Sequence, residues 1–170
     1  MITEEDKSME AKMIEIKLAV SSFFAITGTF LGWKGVLLII WAGAMVLDYI
    51  SGTIAARRNN EWNSARAREG LFHKGGMILV VLVAMLFDGC LALVAINIPG
   101  LNMTWPGIIF PVVLAWYVLT ELGSILENSI KMGASYPEWL VKGLKISAEA
   151  VSKAGDSAVD KLTEEDTDHE

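Results

Sequence analysis

Asp48, Asp88 and Glu121 are the residues of this chain best placed to do chemistry, because each interrupts an otherwise uncharged apolar run. A carboxylate at bilayer depth costs a few kcal/mol even on lenient insertion scales. It must therefore be protonated, hydrogen-bonded to another helix, or in contact with water. Asp48 lies nine residues before Arg57, Asp88 fourteen after Lys74 and Glu121 ten before Lys131. At 1.5 Å per residue each acid is about 13 to 21 Å from its nearest basic boundary residue. On that count no Lys or Arg is deep enough to neutralise them, and Ser51, Asn97, Ser124 and Asn128, or the same residues of other copies, are the expected partners. The acids then either line an aqueous lumen and relay protons, or join helices by hydrogen bonds worth about 0.6 to 2 kcal/mol each. Glu127 and Asn128, near the end of the same run as Glu121, suit gating or helix-end hydrogen bonding.

The rest of the composition removes competing chemistries. The polar residues at depth are acids without His, Lys or a metal cluster, so no catalytic residue is expected and the chain does not read as an enzyme. One cysteine, Cys90, and two histidines, His73 and His169, supply no metal-ligand spacing, and no phosphate-cradling glycine loop occurs. No metal or cofactor is expected. Arg57, Arg58, Arg66, Arg68 and Lys74 form a basic link that could hold nucleic acid, but topogenic residues in contact with anionic lipid explain them better. Much of the net charge of −6 comes from the acidic C-terminus, which reads as a solvated tail. The acidic N-terminus lacks the pattern of a cleavable signal peptide.

The elements that must position the acids are membrane helices. Of the 170 residues, 53% are hydrophobic and only 20% charged, and the charges gather at the ends and in the basic link. Residues 35–56, 75–98 and 106–126 are each long enough, at 1.5 Å per residue, to cover a hydrocarbon core of about 30 Å. Residues 18–33 form a shorter fourth candidate carrying Ser21, Ser22, Thr27 and Thr29, able to cross obliquely or lie at the interface. Retention of Lys and Arg in the cytoplasm places the basic link inside and the uncharged link after Asn97 outside. Four crossings then leave both termini cytoplasmic; three put Lys7, Lys12 and Lys17 outside. Trp33 and Trp105 fall at expected outer ends, where indole rings favour headgroups, whereas Trp41 falls within a span and suits packing between helices.

The fold expected is therefore an all-α integral membrane bundle of four helices, or three if residues 18–33 stay at the interface. Residues 1–17 form a charged cytoplasmic segment, 18–126 the membrane domain and 127–170 a cytoplasmic amphipathic helix with an acidic tail. Pro137 suits the first turn of that helix, and Leu140, Leu144, Ala148, Val151, Val159 and Leu162 recur on one stripe. Its lysines could hold it to anionic lipid, or it could pair with its counterpart in another copy. Gly28 and Gly32, spaced as Gly-x-x-x-Gly, with Gly43 and Gly52, are candidate helix-packing positions.

Several strings resemble the toxin secretion/phage lysis holin family in both order and spacing. They are Phe30-Leu31-Gly32-Trp33-Lys34-Gly35, Leu47-Asp48-Tyr49-Ile50-Ser51-Gly52 with Ala55-Ala56, Gly70-Leu71 with Lys74, and Leu86-Phe87-Asp88. The most specific is Glu121-Leu122-Gly123-Ser124-Ile125-Leu126-Glu127-Asn128, followed by Met132-Gly133 and Pro137. The resemblance covers roughly residues 20 to 145 and leaves out both charged ends. It implies a phage or prophage holin in the bacterial inner membrane, which oligomerises and opens lesions. Through these an endolysin reaches the wall without necessarily touching the holin, and some members are linked to toxin release instead. Met9 and Met13 permit a second start site of the kind holins can use. A proton-coupled transporter or ion channel, and a membrane scaffold, are the rival classes: a small channel would show depolarisation without lysis, and a transporter or scaffold neither.

Overall fold

A computed structural model of the chain describes residues 4–98 and 104–165. These form four helices, α1 (Glu4–Arg58), α2 (Ser64–Asn97), α3 (Ile109–Lys131) and α4 (Glu138–Glu165), and no strand among the described residues. The chain divides after Ile39 into two compact units.

In the first unit α1 is broken at Gly32, whose φ of 66° and ψ of −179° lie in a region open essentially to glycine. Gly32 is thus the break in the helix and not half of a regular small-residue packing ridge. Gly28 faces Val36 across that break, at 3.6 Å from where a Cβ would stand. Trp33 is exposed, with the Lys34 ammonium 5.8 Å from its ring centre.

Among the described residues three helical segments are long and apolar enough to cross a membrane: Gly32–Arg58, Ser64–Asn97 and Ile109–Lys131. These match the three longer spans expected, and residues 18–33, the shorter candidate, are not among them. Residues 18–31 belong to the α1 stretch before the break, where the hydroxyls and the charges of Glu15 and Lys17 dilute the apolar run. Each of the other expected spans is found as a longer helix, because bounding a span by its flanking charges clips the turns that carry them.

In the second unit α3 packs against both α2 and α4. Its core holds Trp41, Ala44 and Ala55 of α1, Met77, Val81 and Ala84 of α2, and Phe110 and Leu114 of α3. Trp41 is buried with its ring 6.1 Å from that of Tyr117. The other faces of these helices carry exposed Leu47, Ile54, Leu79, Val83, Leu86 and Leu93. Apolar surface of this kind is what lipid covers, the backbone being satisfied within each helix.

Two helix starts show how polar side chains set boundaries. Asn63 caps α2, its Oδ1 accepting from the Ala65 amide at 2.8 Å. The residue before α3, Ile108, has no such side chain, and Pro111 falls in the first turn, where no amide is needed. The cap of α3 comes instead from α2, as described below.

Residues 127–131 complete α3, and α4 packs against it. Leu140, Leu144, Ala148, Val151 and Gly155 of α4 are half-buried and Ala158 is buried. Leu140, Leu144, Ala148 and Val151 of the expected stripe thus lie on the face that packs, whereas Val159 is exposed and the Leu162 side chain lies outside the described residues.

Candidate functional site

Lys74 is the centre of the site. Its Nζ donates to both oxygens of Glu121, at 2.7 and 2.6 Å, and lies 2.9 Å from Oδ2 of Asp48. An ammonium has three N–H donors, and these three acceptors use them all. The other Asp48 oxygen accepts from Asn128 Nδ2 at 3.0 Å, the same nitrogen donates to Ser51 Oγ at 3.1 Å, and that hydroxyl donates to the Asp48 carbonyl at 3.1 Å. One network therefore joins α1, α2 and α3. Side-chain exposure is 12% for Lys74, 19% for Asp48 and 3% for Glu121.

This corrects the expectation that no cation is deep enough to neutralise the acids. Distance along the helices of Asp48 and Glu121 does not register an ammonium that arrives from α2 next door. Lys74 belongs to this network and not to the exposed basic link, where Arg57, Arg58, Arg66 and Arg68 remain. Arg57 stacks over Trp62, with 5.6 Å from guanidinium carbon to ring centre. Of the expected partners, Asn128 and Ser51 join the network, Ser124 lines the adjoining cleft, and Asn97 turns back to its own helix, donating to Leu93 O at 2.8 Å.

Gly52 lets the network close. A Cβ there would stand 3.3 Å from Asn128 Nδ2, tight enough to push the amide away, whereas a Cβ at Gly43 would meet nothing within 4 Å. Beside the network opens a cleft of about 400 Å³, bordered by Asp48, Lys74, Arg66, Glu127, Asn128 and Lys131. Glu127 is exposed on its rim.

Asp88 serves a different purpose. Its Oδ1 accepts from Trp105 Nε1 at 2.9 Å and from the Ile109 amide at 3.1 Å, and its Oδ2 accepts from the Phe110 amide at 2.8 Å. An acid of α2 thereby caps the start of α3, where orphan amides and the helix dipole favour negative charge. At 7% exposure it is buried but fully engaged. Trp105, expected at the headgroup level, spends its N–H on this acid and sets its ring edge-on to Phe87. The sequence does not disclose the Ile109 and Phe110 donors, because the amides of a helix start carry no residue-type signal.

Three membrane-length helices joined by polar contacts define a multi-pass α-helical membrane protein. The chain belongs to the bacteriophage holin family, which matches residues 25–148 and so takes in all three spans. It is similar to an uncharacterized protein of Listeria innocua, 31% identical over 84% of this chain and 91% of that one. A second uncharacterized protein, from Listeria monocytogenes, is 30% identical over 86% of this chain and 95% of its own. An uncharacterized 14.9 kDa protein in the nagH 3′ region of Clostridium perfringens is 30% identical over 81% of this chain and 96% of its own. No solved structure matches.

Proposed function

We propose that this chain acts as a holin: it gathers in the bacterial cytoplasmic membrane, associates with copies of itself, and opens lesions through which an endolysin or toxin passes. The observation that carries this reading is the family match over residues 25–148, which contains the Lys74 network as well as the spans. The basic link and the end of α3 are assigned to the cytoplasmic face, in contact with anionic lipid, because Arg57, Arg58, Arg66 and Arg68 resist translocation. Three crossings place the N-terminal segment on the opposite face, where the acids Glu4, Glu5, Asp6, Glu10 and Glu15 outnumber three lysines.

The site gives this reading a resting form. With Asp48 and Glu121 tied to Lys74, and Asp88 tied to the start of α3, a single chain needs no water to satisfy these three acids. These acids act as clamps between helices, and the apolar outer faces are left for lipid or a second copy. The test is induced expression in a bacterium together with an endolysin lacking an export signal. Abrupt depolarisation followed by endolysin-dependent lysis is expected. Saturable solute flux without lysis would favour a transporter using the cleft beside Lys74, and intact potential at confirmed membrane expression would favour a scaffold.

A further inference from the structure

We infer that the charged face of α4 lines the aqueous lumen of the open assembly, an assignment that rests on the holin reading. It begins with depth. A Cβ at Gly155 of α4 would lie 3.4 Å from Val112 of α3, and Val151 and Ser152 border the same crevice as Val113, Trp116 and Tyr117. From Val112 to Lys131 α3 rises about 28 Å, and from Glu138 to Gly155 α4 returns about 26 Å, at 1.5 Å per residue. If α3 spans a hydrocarbon core of about 30 Å, α4 accompanies it through most of that thickness.

A helix at that depth has to account for its charges. Lys142, Lys145, Glu149, Lys153, Asp156 and Asp160 are all exposed and follow one another at intervals of three or four residues. At 3.6 residues per turn they share one sector of about 80°. The packed residues Leu144, Ala148, Val151 and Gly155 lie on the other side. Central lysines and aspartates each cost about 2.5 to 3.5 kcal/mol against lipid, so this stripe must face water. Asp48, Asp88 and Glu121 are already engaged with Lys74 or with the start of α3. The α4 stripe is thus the longest continuous polar surface at membrane depth among the described residues. When copies associate with α4 turned inward, that surface meets the water of the lesion. Three lysines and three acids leave it balanced, so the lumen should discriminate little between cations and anions.

The test is conductance of the full-length protein in planar lipid bilayers. The triple variant Lys142→Glu, Lys145→Glu and Lys153→Glu converts a balanced stripe to six negative charges, and its cation-to-anion permeability ratio should rise severalfold. Ser147→Glu, which adds a charge off the stripe, should leave the ratio unchanged. In a Cys90→Ser background, Lys153→Cys should lose current when a water-soluble, negatively charged thiol reagent is added. That variant decides the matter if the triple variant does not conduct. Conducting variants with unaltered selectivity, and Lys153→Cys current indifferent to the reagent, would overturn the assignment while leaving the holin reading intact. Absence of any wild-type conductance would overturn the holin reading itself.

Discussion

Replacing Lys74 with Met removes the cation and leaves Asp48 and Glu121 facing a site that no longer balances either charge. Glu121, at 3% exposure, is the more deeply buried of the two. Breaking a buried pair by deleting one partner costs about 3 to 5 kcal/mol. Asp48, partly exposed, adds little. At about 2 to 4 °C per kcal/mol for a chain of this size, the melting temperature should fall by on the order of 10 °C. Thermal unfolding of the detergent-solubilised protein, followed by tryptophan fluorescence, measures this directly. The triple variant Lys74→Met, Asp48→Asn and Glu121→Gln removes both charges along with their partner and should recover most of the loss. Lys74→Met melting like the wild type, or the triple variant melting no higher than Lys74→Met, would refute the reasoning.

Asp88→Ala should strand the Trp105, Ile109 and Phe110 donors and loosen the start of α3 by about 3 kcal/mol. Hydrogen exchange at the Ile109 and Phe110 amides should then quicken by on the order of a hundredfold, while the far end of α3 changes much less. Gly52→Val should displace the Asn128 amide and break its bond to Asp48, a charge-assisted contact of about 1.5 to 3 kcal/mol; its destabilisation in the same melting assay should not add to that of Asn128→Ala. Gly43→Ala, which meets no neighbour, should be neutral or raise stability by about 0.5 to 1 kcal/mol.

The helical class and the membrane habit were legible in the sequence because lipid allows long uncharged runs that a soluble core does not. The importance of Asp48, Asp88 and Glu121 was legible for the same reason, since depth alone makes a carboxylate conspicuous. Their partners were harder to see. Lys74 closed the basic link and was read as a boundary, yet it lies about ten residues into α2, on a helix that extends well past the apolar run. Distances along one helix say nothing of what a neighbouring helix brings alongside. Trp105 is similar, since an indole at a span end suits both a headgroup and a buried acid. Gly32 fitted a packing motif by spacing, but the conformation it adopts breaks the helix. In α4 the apolar stripe was plain; that it would lie along α3 depends on the complementary face of Val112, Val113 and Trp116, which no pattern within α4 discloses.

The most direct test of the central claim is membrane potential, followed with time in cells expressing this chain and an endolysin without an export signal. The account predicts a quiet interval while protein accumulates, then abrupt depolarisation and endolysin-dependent lysis, with onset advanced in Lys74→Met at matched membrane levels because a clamp of the resting form is gone. Undisturbed potential and continued growth, with the wild-type chain confirmed in the membrane, would contradict it.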